Sequence, residues 1–353
     1  MAKRATIADI AAKAGVSKST VSHTLSGKRP ISLATQRRIR AVIAEVGYRP
    51  SVVAQRLAGG GHARMIGLVF PLSTTLIAGT EAEFIVNAAN VANAADTTFL
   101  LLTHLEGNTS QFERVVESGL VDGFILMKVH MDDLRVELLR REQIPFVLLG
   151  RCANNDGLSF VDVAIETGVA EAVAHLATAG HRTVGYLSLV DDGDFGFAIR
   201  TLESFRQACQ LHQITPVMKA AQATTEGVAA AFHALYQETP TISAVLVRNQ
   251  AMAIGVGQAA ADLGLRIPDQ LTLIGMGSAD NQVPLPQGTI RTTWIDIRAE
   301  TLAITATQFL LTQLAKGGSE VQQQLVAPQL IIAGSCGCSD SGADNYPKEQ
   351  QRL

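Results

Sequence analysis

Apolar residues in the first 46 positions recur at helical spacing: Ile7 and Ile10, then Val21 and Leu25, then Ile39, Val42, Ile43 and Val46. Between these groups stand the residues that start and stop helices. Thr6-Ile-Ala-Asp9 reads as a capping box, Gly15 stops the first helix, Ser17 caps a second, and Ser32 caps a third that Gly47 ends. Three short helices with a four-residue turn between the first two predict a helix-turn-helix unit over residues 1–48. Tyr48-Arg49-Pro50 then leads into SVVAQRLA, long enough for two helical turns, and into Gly59-Gly60-Gly61, so 49–63 reads as a hinge helix and glycine linker.

From residue 64 the pattern changes. MIGLVFPL, TFLLLTH, DGFILMK, PFVLLGR, TVGYLSL, AVLVRN and LTLIGMG read as buried strands, alternating with helical stretches such as EAEFIVNAANVANA, GVAEAVAHLATAG and AMAIGVGQAAADLG. Short apolar strands alternating with helices predict parallel sheets covered on both faces. About 270 residues of this exceed one sheet, so 64–335 is expected to form two doubly wound α/β lobes, with ligand bound in the cleft at the carboxyl ends of the strands. The end of the chain, 336–353, is polar and reads as disordered.

Composition narrows this. Of 353 residues, 47% are hydrophobic, ample for a buried core, yet there is no continuous apolar run of membrane-spanning length, so no membrane partner is expected. The N-terminus lacks the apolar core of a secretory signal, and four scattered cysteines suit a reduced compartment; a cytoplasmic protein is expected. Cys336-Gly-Cys338 can bind metal or react, but no second pair and no clustered histidines accompany it, so neither a metal nor a cofactor is expected. The net charge of −3 conceals a split. Residues 1–64 hold twelve Lys and Arg against Asp9 and Glu45, a net +10, which leaves −13 on the remainder. A basic head on an acidic body points to a nucleic-acid partner.

With Val21 and Leu25 turned inward, the second helix offers Lys18, Ser19, Ser22 and His23 on its other side, small polar groups that can hydrogen-bond base edges at close approach. An ordinary solvated face would look similar, but the caps, the glycine stops and the charge favour double-stranded DNA. Lys3, Arg4, Lys28, Arg29 and Arg37 surround the unit and can meet phosphates. Leu57 in SVVAQRLA can wedge between base pairs in the minor groove; otherwise the segment is a plain linker.

The run TIADIAAKAGVSKSTVSHTLSGKRPISLATQRRIRAVIAEVGYRPSVVAQRLAGG resembles the DNA-binding head of the lac repressor (LacI/GalR) family. The likeness continues through VLLGR, HLATAGHRTVGYL, GLRIPDQLTLIG and QLIIAGSC, nearly the whole chain in order. It implies a dimeric transcription regulator, most simply a repressor, that binds a palindromic operator. It also implies a periplasmic-binding-protein-like core sensing a small molecule, most often a sugar or nucleoside. Carried over by position, it makes Thr6, Ser17, Ser22, Ser32 and Thr35 phosphate or base contacts. Lys18, Ser19 and His23 fall on the variable recognition positions, and Ala54 and Leu57 on the minor-groove helix. The family commonly has arginine at His23, and histidine cannot make its bidentate fork to guanine. No leucine-heptad tail is present, so a homodimer is expected.

The sensor half departs from the family. Where an arginine commonly grips sugar hydroxyls the chain has Thr201, with Arg200 as neighbour; the usual Asn-Asp pair is Asn249-Gln250; and a Gly-aromatic-Asp-Asp motif reads Gly275-Met276-Gly277-Ser278. Arg151 and Asn249 match family pocket positions, and Trp294 lies near the cleft-lining segment, so Arg151, Arg200, Thr201, Asn249, Ser278 and Trp294 are the effector candidates. Losing the carboxylates that orient hydroxyls leaves two readings: a less hydroxylated or anionic effector, or a decayed response and constitutive or activating behaviour. A solute-binding protein would share the core but carry a signal peptide and no basic head. An enzyme is disfavoured by the lack of a dinucleotide fingerprint, nucleophile elbow or phosphate loop, and DDGDFG (191–196 without its ligand set) reads as a solvated turn.

Overall fold

A computed structural model describes residues 6–26, 29–46, 64–72, 79–105, 110–278, 282–286, 288–317 and 320–336. The chain divides into two bodies, Met1–Met65 with Asp96–Thr98 and the remainder.

The small body is built from its caps inward. Thr6 Oγ1 accepts the Asp9 N–H at 3.3 Å while the Asp9 carboxylate accepts the Thr6 N–H at 2.8 Å, which starts α1 (Ile7–Ala14). Gly15, in the left-handed region at φ 62°, ends that helix by donating its N–H back to the last turn. Ser17 Oγ accepts the Thr20 N–H at 3.1 Å to open α2 (Lys18–Ser26), and Ser32 Oγ accepts the Thr35 N–H at 3.3 Å to open α3 (Leu33–Val46). Ile10, Val21 and Ile39, one from each helix, are fully buried against each other, and Leu25, Ile43 and Val46 close the edges of that core. The predicted closure of α3 at Gly47 and the hinge over 49–63 lie outside the described residues.

In the large body, β1 (Met65–Leu72), α4 (Thr80–Ala94), β2 (Thr98–Leu105), α5 (Ser110–Glu117), β3 (Gly123–Leu126), α6 (Leu134–Arg141), β4 (Phe146–Leu149) and β5 (Phe160–Val163) begin one lobe. The chain crosses into the second lobe through α7 (Ile165–Thr178), β6 (Thr183–Leu189), α8 (Gly196–Leu211), β7 (Thr215–Ala221), α9 (Thr225–Glu238), β8 (Ala244–Leu246), α10 (Gln250–Asp262) and β9 (Thr272–Gly277). A hairpin of β10 (Gln282–Leu285) and β11 (Gly288–Arg291) leads to β12 (Thr293–Asp296). The chain then returns as α11 (Ala299–Lys316) and β13 (Gln323–Val326) to the first lobe, and ends on the second with β14 (Gln329–Ile331). The first sheet runs β13-β5-β4-β3-β1-β2 and the second β14-β12-β9-β8-β6-β7. The registered pairs are parallel except β12–β14, which is antiparallel, and the hairpin.

All seven predicted strands are present, and the structure adds β5, β7 and β10 to β14. Their patterns hide them for physical reasons. β7 is an edge strand carrying Pro216, which has no N–H to give a further neighbour. β13 is polar because it too lies at an edge, and β5 is interrupted by the buried Asp162. No helix among the described residues is long and apolar enough to cross a membrane.

Candidate functional site

Two features carry chemistry, one in each body. On the small body, burial of Val21, with Leu25 packed at the edge of the same core, leaves one side of α2 facing outward. Lys18 and Ser19 are exposed, and Ser22 and His23 are half-buried on the same outer side. Ser17 Oγ lies 2.7 Å from Ser19 Oγ and 2.8 Å from Thr20 Oγ1, and Ser32 Oγ lies 2.8 Å from Thr35 Oγ1. A capping hydroxyl accepts through a lone pair and still has a proton to give. Thr6 differs: its hydroxyl donates to the Asp9 carboxylate at 2.7 Å, so a phosphate would have to displace that bond. Ala54 and Leu57 lie outside the described residues.

In the large body a cavity of about 530 Å³ opens at the carboxyl ends of both sets of strands. Among the six effector candidates, Asn249 alone lines it, as the N-cap of α10 whose Oδ1 accepts the Met252 N–H at 2.8 Å. The other five are placed elsewhere, each for a definite reason. Arg151 is drawn beneath the wall by two carboxylates, its Nε donating to Asp162 at 2.7 Å and its Nη2 to Glu166 at 2.9 Å. Burial works against its charge, but Asp162 and Glu166 outweigh it and hold the guanidinium above the ordinary arginine value. Arg200 points into the backbone, donating to the Arg151 carbonyl at 3.0 Å and the Cys152 carbonyl at 2.7 Å; burial, then the nearby Arg151 charge, lowers its pKa. Thr201 is fully buried and bonded back to the Phe197 carbonyl within α8. Ser278 bonds across to the first lobe, its N–H to Thr80 Oγ1 at 3.0 Å and its hydroxyl to Glu83. Trp294 is a core residue of the second lobe, 1% exposed.

The reading of DDGDFG as a solvated turn is corrected. Asp191 and Asp192 both line the cavity. Asp192 is largely buried, ion-paired with Arg248 and accepting the Leu189 N–H at 2.8 Å. Asp194 pairs with His130 of the other lobe. Around that pair the lobes are joined by backbone bonds, Met131 N–H to Asp194 O at 2.8 Å and Gly196 N–H to Val129 O at 2.9 Å, and by the His130 and Phe195 rings 4.4 Å apart. Sequence reasoning therefore missed Asp191, Asp192, Phe195 and Arg248. The available signal was position: Arg248 lies two residues past the end of β8, at the carboxyl edge where ligands of such sheets bind. Away from the cavity, His175 Nε2 meets Cys336 Sγ at 2.9 Å; Cys338 lies outside the described residues, and among those described no group of three or more metal-ligating side chains gathers.

A helix-turn-helix head and a two-lobed α/β body enclosing a ligand-sized cavity define a class, the DNA-binding transcription regulators with a built-in sensor. Residues 6–51 match the bacterial regulatory proteins of the lacI family, and residues 173–336 match the periplasmic binding protein-like domain. The HTH-type transcriptional repressor PurR of Pectobacterium atrosepticum is 30% identical over 278 residues, 77% of this chain and 80% of its own. The regulator AglR of Rhizobium meliloti is 28% identical over 335 residues, 92% of each chain. The lac repressor dimer bound to operator and the anti-inducer ONPF shares the fold, with a TM-score of 0.77 at 22% identity over 95% of this chain and 99% of that one. The regulator CelR in complex with cellobiose superposes with a TM-score of 0.67 at 22% identity, covering 94% of this chain. The chain belongs to the lacI family of transcription regulators.

Proposed function

We propose that the protein is a repressor that binds a palindromic operator as a homodimer and changes its operator affinity when a small molecule fills the cavity of the large body. The observation that carries the reading is the exposed polar side of α2, held outward by the Ile10–Val21–Ile39 core, in a segment of net charge +10. Lys18, Ser19, Ser22 and His23 read base edges in the major groove, and Ser17, Ser32 and Thr35 meet phosphates. Thr6 chiefly holds the start of α1. Ala54 and Leu57 contact the minor groove, and filling the cavity changes that contact. The family supports regulation over an enzymatic role.

The test is selection of operator sequence from random duplexes by the purified protein at about physiological salt, where nonspecific phosphate binding is suppressed. An enriched palindrome, protected on both half-sites, is expected, and failure to enrich any sequence would remove the reading. Replacing Leu57 by alanine should weaken binding and reduce DNA bending; unchanged bending would remove the minor-groove part.

A further inference from the structure

The two walls of the cavity differ in chemistry. From the first lobe come Phe70, Phe84, Met127 and Val161. Of the polar groups near that wall, Asp162 and Lys128 are engaged within the protein. Asp162 holds Arg151, and the Lys128 ammonium sits 5.2 Å from the centre of the Phe70 ring and 5.9 Å from that of Phe195. From the second lobe come Arg248 and the beginnings of two helices, α9 at Thr224–Thr225 and α10 at Asn249–Gln250. The caps of both helices are intact, Thr224 Oγ1 accepting the Gly227 N–H at 3.0 Å and Asn249 Oδ1 the Met252 N–H at 2.8 Å. The two helix starts therefore present ordered N–H groups and the positive ends of their dipoles to one side of the cavity. Arg248 is balanced by Asp192 through Nη2, and its Nε is buried with no partner among the described residues.

We propose that the effector is an amphipathic anion, with an aromatic or branched aliphatic body against Phe70, Phe84 and Met127 and one carboxylate-like group at Arg248 and the first turns of α9 and α10. The proposal rests on the cavity being the regulator's effector site. A compact polyol fits poorly, because hydroxyls facing the phenylalanine wall would be stripped of water without partners, each at a cost of about tenfold or more in affinity. Glu81 and Asp191 also line the cavity, Glu81 in the first turn of α4 and Asp191 exposed to solvent, so the anionic group is assigned to the side of Arg248 and the two helix starts.

Titration calorimetry on the full-length protein with 3-phenylpropionate, 3-phenylpropionamide and glucose tests this, with operator affinity measured on the same preparation. The acid is expected to saturate one site per chain, the amide to bind about tenfold more weakly, and glucose more weakly again. Arg248→Lys, which keeps a charge for Asp192, is expected to weaken the acid about tenfold and leave the amide unchanged. Glucose binding more tightly than the acid, acid and amide binding equally, or no binding by any of the three would each overturn the proposal. If operator binding persists in such a case, the ligand class alone has failed; a preparation that binds no operator points to failure of the regulatory reading itself.

Discussion

Trp294 stands opposite Gly275 in the register of β12 and β9, and its six-membered ring occupies the place where a side chain at 275 would have to begin. A Cβ there would lie 1.8 Å from Cζ3 of the indole. The indole is enclosed by the second lobe's core and cannot swing away. Gly275→Ala is therefore expected to cost about 3 kcal/mol or more. Gly185→Ala, whose nearest contacts are side-chain methyl groups at 3.3 Å, should cost much less. Urea unfolding followed by the fluorescence of this single tryptophan reports on both, and an unchanged midpoint for Gly275→Ala would show the packing to be mistaken.

Arg151 is ion-paired inside the protein with Asp162 and Glu166. With 15% of its side chain exposed and Asp162 at 9%, removal of the guanidinium leaves a buried carboxylate uncompensated. Arg151→Met is expected to cost about 3–5 kcal/mol, and pairing it with Asp162→Leu should restore most of that loss. Equal destabilisation in the single and double variants, by urea unfolding, would show that the ion pair is not the source.

Asp133 predicts a pH dependence. Burial alone would raise its pKa, but the hydrogen bonds and charge of Arg135, with the backbone N–H groups of His130 and Arg135, hold it below 3.8 in the folded protein. Its contribution is thus complete above that value and is lost as the pH falls through the lower folded value. The destabilisation caused by Asp133→Asn should be large near pH 6 and shrink as the pH drops below about 4. A difference between the two proteins that stays constant over that range would rule the linkage out.

The head of the molecule was legible because its information is local. Thr6 and Asp9, Ser17 and Thr20, and Ser32 and Thr35 are each three residues apart, so caps and turns show in the order of residues alone. The cavity was not legible in that way. Asp192 and Arg248 are 56 residues apart, and nothing in DDGDFG, a composition typical of solvated loops, says that a guanidinium from another strand end will bury its second carboxylate. The family positions placed Arg151, Arg200 and Thr201 at a pocket, but in this chain internal carboxylates and carbonyls hold the arginines, while the threonine is buried in its helix. Asn249 escaped because its cap fixes it at the cavity whatever the ligand.

Lys18 is exposed at the start of α2 and tests the DNA-reading face without disturbing the core. Lys18→Ala is expected to weaken operator binding by about tenfold. If Lys18 meets a phosphate, the slope of log affinity against log salt should fall by about 0.9; if it meets a base, the slope will hold and selectivity at one position will relax. Operator titrations at several salt concentrations distinguish these, and no change in affinity, slope or selectivity would place Lys18 off the DNA.

The three crossings of the chain between lobes also bear on how the protein is made. The first lobe's sheet begins with β1 at Met65 but receives its edge strand, β13, only at Gln323–Val326, and β14 completes the second sheet a few residues later. On the ribosome, neither lobe can close its sheet until nearly the entire chain has emerged. The three-helix head, whose core draws only on residues before 47, can finish long before. A nascent chain released early from its message would thus carry a completed DNA-reading head on an unfinished body, and quality control on the body becomes a condition for an operator being occupied by a regulated molecule.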